Sequence, residues 1–296
     1  MRKAFLLGAG LGTRLKPLTD TLPKPLIPLE NRPLITHAMD HLIAAGITHI
    51  AINTHHLPEA WTAAFPNSRY RGAELAFFYE PILLETGGGI KNIAAWIGQE
   101  PFLIYNGDIL TDLPIERLMT GHMASNNIAT LAVVAHGPDK KVTVKGHQIL
   151  DVRSEVAGLA GTHQFTGIYC ADAEILNLIP PNEKISIVPA FQELVRRRQL
   201  GAYPVEKCSW LDLGERQSYL EASFQKAPEI SPSAIIDPSA KVTNSWIGDH
   251  CQIGANAQIT DSILWPGTHV SSDAELTKCI LHSNSSATGL HRDANL

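Results

Sequence analysis

The 296-residue sequence predicts an α/β domain with a mixed, mostly parallel sheet, followed by a short parallel β-helix. Two observations carry this. Apolar strand-like runs alternate with helix-period segments as far as about residue 226. Beyond it small residues, Ser, Asn, Gly and isolated β-branched residues take over, and a repeat of 17 residues sets in. The expected domains are therefore residues 1–226 and 227–296.

Within the first domain, residues 3–8 form an apolar run that ends in glycine, the pattern of a buried strand entering a turn. Residues 33–45 carry a helix period with Pro near its start, where the missing N–H does no harm. A second strand follows at 47–53, and further strands are expected at 74–79, 102–106, 128–135 and 165–170. Helices are expected at 88–97, 114–124, 187–198 and 215–224. A sheet of this kind binds ligands beyond the carboxyl ends of its strands.

In the second domain three blocks, 242–258, 259–275 and 276–292, align without gaps. Val242, Ile259 and Leu276 superpose, as do Ser245, Ser262 and Cys279, and Ile247, Leu264 and Leu281. Ile253 and Val270 add a further register, so apolar positions recur at steps of 6, 5 and 6. Each coil has three short strands, each with one inward apolar side chain. Such a coil must stack on its neighbours to bury them. The third block degenerates over 284–292, as a terminal cap does.

Composition narrows the function classes. With 24 Lys+Arg against 29 Asp+Glu the net charge is −5, which excludes the broad basic footprint of a nucleic-acid or membrane-surface binder. Residues 1–24 nevertheless hold five basic residues and one acidic, so cationic charge is concentrated at the first turn. No apolar run is long enough to cross a bilayer, and the N-terminal apolar stretch is interrupted too soon for a signal peptide, so a cytoplasmic location is expected. Cys170, Cys208, Cys251 and Cys279 show neither C-x-x-C pairing nor zinc-ligand spacing, and are expected as reduced thiols.

The most informative stretch is Gly8-Ala9-Gly10-Leu11-Gly12-Thr13-Arg14-Leu15, followed by Pro23-Lys24-Pro25-Leu26. A glycine-rich turn after a strand lets backbone N–H groups approach phosphates, and Arg14 and Lys24 add positive charge. The Gly-Lys-Ser/Thr ending of a nucleoside-triphosphatase loop is absent, and Thr13 stands where a dinucleotide fingerprint needs its third glycine. Two carboxylates, Asp108 after the strand at 102–106 and Asp212 in Trp210-Leu-Asp-Leu-Gly214, could share a Mg²⁺. Asp212 could instead cap the helix that begins near Glu215.

The pattern G-x-G-x-R-L, then P-K-P, with Leu84-Glu-Thr-Gly-Gly-Gly-Ile90, Asn106-Gly107-Asp108 and Trp210-Leu-Asp212, resembles the sugar-phosphate nucleotidyltransferases. These enzymes join a nucleoside triphosphate to a sugar 1-phosphate and release pyrophosphate. The resemblance implies a Rossmann-like nucleotidyltransferase domain and a left-handed β-helix. Leu-Glu-Thr-Gly-Gly-Gly is most similar to the N-acetylmuramate-1-phosphate uridylyltransferases, whereas appended coils resemble the mannose-1-phosphate guanylyltransferases.

By this resemblance Arg14, Lys24 and Asp108 are catalytic, and Asp108 with Asp212 holds Mg²⁺. Leu7, Gly8, Ala9, Gly10, Gly12, Thr13, Arg14, Glu80, Glu85, Thr86 and Gly87 bind the nucleotide. Asn106, Thr166 and Gly167 line the sugar pocket. Glu80 stands where uridylyltransferases often carry glutamine. A carboxylate there accepts one bond from uracil N3–H or two from guanine, so the base stays open. The three glycines 87–89 could also simply allow close packing of the next helix. The expected substrates are UTP and an N-acetylated or muramyl sugar 1-phosphate, with GTP and mannose 1-phosphate as the alternative. No nucleic-acid or membrane partner is expected. The coils are expected to serve as a platform, including for a homo-oligomer. Rival readings are a bifunctional acyltransferase using His250, His269, His282 or His291, and a non-catalytic regulatory subunit; retention of Lys24, Asp108 and Asp212 speaks against the second.

Overall fold

The structure is a computed structural model that describes residues 1–296. The chain packs as two compact units, Met1–Leu11 with Ile35–Asp212, and Gly12–Leu34 with Leu213–Leu296. Packing thus groups residues 12–34 and 213–226 with the coils, although both stretches lie in the helix-period part of the sequence.

The first unit is built on a ten-stranded sheet. Its strand order is Val142–Lys145, Gln148–Val152, Leu200–Val205, Ala129–Val134, Gln164–Ala171, Phe102–Asn106, Lys3–Leu7, His49–Thr54, Ala73–Tyr79 and Arg69–Tyr70. The four strands from Phe102–Asn106 to Ala73–Tyr79 are mutually parallel, which brings Leu7, Asn53 and Asn106 into line at their carboxyl ends. Gln164–Ala171 then runs antiparallel to both its neighbours, with a register shift between Phe165 and Tyr169. Bulges of this kind re-aim side chains beside active sites.

The strands expected from sequence are all present, with ends displaced by one or two residues. The hairpin Val142–Lys145 with Gln148–Val152, the edge strand Arg69–Tyr70 and the strand Leu200–Val205 are additional. The helix expected at 88–97 starts earlier, at Glu85, and breaks at Ile93 into two pieces, Glu85–Asn92 and Ala94–Ile97. A core of Phe5, Ile104, Leu131, Tyr169, Phe191 and Leu194, with their buried neighbours, lies between sheet and helices.

In the second unit the 17-residue register is realised in backbone pairing. Val242 pairs with Ile259 and Ile259 with Leu276; Ile247, Leu264 and Leu281 form a second parallel ladder, and Ile253, Val270 and Ala287 a third. These side chains form the interior of the coils. The superposed Ser245, Ser262 and Cys279 gain a physical reason: each serine Oγ accepts from the backbone N–H of the next member at 3.0 Å. Corners at Asn244, Asp261 and Lys278 have positive φ, and Asn, Asp and Gly tolerate that conformation best. The last coil departs from the repeat where degeneration was expected: Glu275 pairs with Leu290, a step of 15.

Residues 12–34 complete this unit with short helical turns and a two-stranded hairpin, Pro28–Leu29 with Arg32–Pro33. Glu30 and Asn31 between them both have positive φ, as a tight two-residue hairpin turn requires. Helix Arg216–Ser223 is capped by Glu215, whose side chain exchanges bonds with Ser218 in a capping box. Asp212 is therefore not the cap. The four cysteines are free thiols, and no helix is long and apolar enough to cross a membrane.

Candidate active site

The first glycine turn is tied to the segment 80–87 by a buried polar chain. Gly8 N–H donates to Asn53 Oδ1 (2.8 Å), and Asn53 Nδ2 donates to Glu80 Oε1 (2.8 Å). Glu80 Oε2 accepts from Leu84 N–H (2.9 Å). The carboxylate expected to read the base is fully buried, with both oxygens engaged inside the protein. Its geometry is that of a strut between the strand end at Asn53 and the turn at Leu84. Asn53, which sequence reading did not single out, keeps a second amide hydrogen and a second lone pair. Its signal was available, since it is the polar residue closing the second parallel strand.

The glycines 87–89 follow the packing reading. Gly87 and Gly88 N–H both donate to the Ile185 carbonyl, and a Cβ on Gly88 would stand 2.4 Å from the Glu183 carbonyl oxygen. Thr86 Oγ1 accepts from Ile187 N–H at 2.9 Å. The segment 183–187 thus clamps the start of this helix, a role no local pattern announces. Glu85 begins it with a φ of 62°, a conformation that costs about 1 kcal/mol for a non-glycine residue and is concentrated at functional sites.

Two cavities open at the carboxyl ends of the parallel strands. The smaller, about 220 Å³, is lined by Ala9, Gly10, Asn53, Leu83, Glu85 and Asp108. The larger, about 320 Å³, reaches from Gly167, Trp210 and Asp212 to Lys141, Val142, Val152 and Arg153 at the sheet edge. Leu7, Thr86 and Asn106 line both. Of the residues expected to bind nucleotide and sugar, Leu7, Ala9, Gly10, Glu85, Thr86, Asn106, Thr166 and Gly167 are thus brought to one connected region. Gly8, Glu80 and Gly87 support it from behind. Thr166 is fully buried: its Oγ1 donates to the Ala132 carbonyl at 2.9 Å and its own carbonyl accepts from Trp210 Nε1 at 2.8 Å.

Asp108 follows the strand Phe102–Asn106, and Asp212 pairs in register with Ile109 in an antiparallel two-stranded sheet. Residues distant in sequence are thereby adjacent through one ladder. The donor set suits a hard divalent cation: two carboxylates without nitrogen or sulfur donors. No cluster of three His, Cys, Asp or Glu residues could hold an ion by itself. Mg²⁺ characteristically takes one or two carboxylates and completes its sphere with substrate phosphates and water.

Gly12, Thr13, Arg14 and Lys24 belong to the second compact unit. Gly12 has φ +60°, and a Cβ there would meet Lys24 Cβ at 2.9 Å, so glycine is required twice over. Thr19 Oγ1 donates to the Gly12 carbonyl at 2.9 Å and Leu15 N–H does the same, closing the turn. Arg14 Nη1 pairs with Glu215 Oε1 at 2.9 Å, both well exposed. An exposed pair contributes about 0–1 kcal/mol, so Arg14 can exchange Glu215 for a polyanion at little cost. Lys24 is buried in a short 3₁₀ turn between its two prolines. Of the coil histidines, His282 Nδ1 and His291 Nε2 lie 3.1 and 2.8 Å from backbone carbonyl oxygens.

The loop 153–161 at the rim of the larger cavity is organised by one buried carboxylate. Asp151 accepts from the N–H groups of Val156 (3.1 Å), Ala157 (2.8 Å) and Leu159 (3.0 Å). Desolvation pushes its pKa up, but these bonds outweigh it and hold the carboxyl below its ordinary value. A depressed pKa means that the stabilisation is intact at neutral pH and is lost in acid, as the pH falls from the ordinary carboxylate value through the depressed one. Asp151→Ala leaves three N–H groups without their acceptor. It is expected to lose about 1–3 kcal/mol in urea unfolding at pH 7 and much less near pH 2.

Comparison with known proteins follows the same lines. Residues 3–228 match the family model described as nucleotidyl transferase, and residues 221–288 match a GlmU-like C-terminal hexapeptide model. The mannose-1-phosphate guanylyltransferase of Mycobacterium tuberculosis is 25% identical over 289 residues, covering 90% of this chain and 80% of its own. The mannose-1-phosphate guanyltransferase of Gibberella zeae is 29% identical over 266 residues, covering 81% and 73%. Among solved structures, a UDP-glucose pyrophosphorylase from Acinetobacter baumannii superposes with a TM-score of 0.65 at 21% identity, over 77% of this chain and 93% of its own. A putative glucose-1-phosphate thymidylyltransferase from Bacillus anthracis gives 0.67 at 18% identity, over 75% and 94%. At these identities the superpositions establish the fold.

Proposed function

The chain belongs to the nucleotidyl transferase family, as a sugar-phosphate nucleotidyltransferase, and from that premise we propose that it transfers a uridylyl group from UTP to an N-acetylated or muramyl sugar 1-phosphate. One observation carries the sugar assignment: the composition of the larger cavity. Beyond Asn106 and Gly167 its apolar walls include Val142, Val152, Phe165, Tyr169 and Phe191, while Gln164, Arg153 and the Lys141–Asp139 ion pair (2.9 Å) supply the polar lining. A plain hexose offers mainly hydroxyls to such walls. An acetyl or lactyl group offers methyl surface to bury, and a lactyl carboxylate offers a charge-assisted partner to Arg153, Lys141 being already paired with Asp139. The smaller cavity, closed behind by the Asn53–Glu80 strut, is assigned to the base.

The chemistry needs no base and no covalent intermediate. The sugar 1-phosphate is already anionic; its oxygen attacks the α-phosphorus, and the bond from that phosphorus to the α–β bridging oxygen breaks, releasing pyrophosphate. Backbone N–H groups of the glycine turn and Arg14 are assigned to the β and γ phosphates, and Lys24 to the reacting phosphates. Asp108 and Asp212 would hold Mg²⁺, which supplies charge neutralisation on phosphate oxygens when bound. Asn106 and the Gly167 backbone are assigned to orienting the sugar, with Thr166 holding that stretch in place through its bonds to Ala132 and Trp210.

Pyrophosphate release is to be measured for UTP, dTTP, GTP, CTP and ATP against the 1-phosphates of N-acetylmuramate, N-acetylglucosamine, glucose and mannose. UTP with N-acetylmuramate 1-phosphate is expected to give the highest kcat/KM; a preference for GTP with mannose 1-phosphate would overturn the reading. Arg153→Ala is expected to raise KM about tenfold for the muramyl substrate, roughly the 1–2 kcal/mol of one exposed charge-assisted bond, and to leave N-acetylglucosamine 1-phosphate within twofold.

A further inference from the structure

The signature segment carrying Arg14 and Lys24 is fastened to the coils at several points within one compact unit. Tyr219 Oη donates to the Pro28 carbonyl, four residues after Lys24, and accepts from Trp265 Nε1 at 3.0 Å. Both rings are essentially inaccessible to solvent, so neither bond competes with water. At the hairpin tip Asn31 Nδ2 donates to the Ile247 carbonyl at 3.1 Å, and Glu30 pairs with Lys226 at 2.7 Å. On the other side, Leu26 and Ile27 N–H donate to the Pro23 and Lys24 carbonyls, and Leu34 N–H to the Ile27 carbonyl. Backbone bonds therefore run without a break from the Lys24 turn to the hairpin, and side-chain bonds run from the hairpin into the coils.

The geometry points to Tyr219 and Trp265 as positioning residues for nucleotidyl transfer: a relay from the coils at Trp265 through helix Arg216–Ser223 that fixes the segment bearing Lys24. The β-helix is then more than an appended platform, because its folded state sets where the signature segment rests. This inference relies on the role assigned to Lys24 and is independent of which base and sugar are used. The chemical logic is that a charge acting on developing phosphate charge loses most of its effect when misplaced by about 1 Å, while substrate contacts made elsewhere survive. A lost relay should lower kcat and leave KM nearly unchanged.

The test uses the full chain with Tyr219→Phe, Trp265→Phe and Asn31→Gly, each read by steady-state kinetics and by amide hydrogen exchange. Kinetics are read with whichever substrate pair turns over, so a wrong substrate assignment leaves this test intact. Expected are faster exchange confined to residues 20–34, a fall in kcat of about tenfold or more for the two aromatic variants, and KM values within twofold. Asn31→Gly, which removes the bond to the Ile247 carbonyl and keeps the positive φ of the turn, should show the same pattern at smaller amplitude. An unchanged kcat in both aromatic variants would overturn the proposal, whether or not exchange quickens. So would faster exchange spread through residues 35–212, which marks general destabilisation.

Discussion

Lys24→Ala is expected to lower turnover by about 10²–10³ while leaving the chain folded and nucleotide binding within a few-fold. The expectation rests on what the residue is and where it stands. It is a cation in a buried setting, held between Pro23 and Pro25 in a turn whose carbonyls are bonded to Leu26 and Ile27 N–H groups. A flexible surface lysine would sample many positions, and its replacement would change little. A fixed one contributes where negative charge moves from the α-phosphate region onto departing pyrophosphate, and that contribution is larger in the transition state than in the bound substrates. The loss should therefore appear in kcat and kcat/KM together, with KM little altered. Lys24→Arg should not restore activity, because a planar guanidinium cannot occupy the place of a compact ammonium between two prolines. Retention of more than a tenth of wild-type turnover in Lys24→Ala, with binding intact, would remove this lysine from the chemistry.

Arg14 contrasts with Lys24 in how much the sequence could say about it. Both belong to one short motif, and the motif marks both, yet the partner of Arg14 lies 201 residues away at Glu215. Glu215 was legible only as a helix start. The same division runs through the molecule. The coils were readable almost to the residue because inward positions follow from a local period: the pairing of Val242 with Ile259 and of Ile259 with Leu276 restates the spacing. The parallel strands were readable because each is a continuous apolar run closed by glycine, asparagine or a turn.

What escaped was set by contacts between distant segments. Glu80 looks like a base acceptor in sequence, and only the neighbouring strand end at Asn53 and the turn at Leu84 make it a buried strut. Asp212 precedes a helix and looks like its cap, but pairing with Ile109 draws it into a strand and leaves the cap to Glu215. The antiparallel course of Gln164–Ala171 has no local signature either, since apolar alternation is the same in both directions.

Asp108→Asn and Asp212→Asn should each reduce turnover at saturating Mg²⁺ by about a thousandfold, and each should raise the Mg²⁺ concentration needed for half-maximal rate. No group of three or more His, Cys, Asp or Glu side chains could hold the ion in their stead. The remaining ligands come from substrate phosphates, which makes metal affinity depend on nucleotide. Mn²⁺ binding followed by electron paramagnetic resonance should accordingly be weak without UTP, tighten with it, and lose most of that gain in either variant. Amides keep the shape of the carboxylates and remove one negative charge each, so a loss of binding would report on charge rather than on collapse of the ladder between residues 109–111 and 210–212. Because both groups act on one ion, the double variant should be little worse than the worse single one. Additive losses would mean that the two carboxylates serve different ends. Metal affinity unchanged in Asp212→Asn would return that residue to a purely structural place in its strand and leave Asp108 as the sole protein ligand.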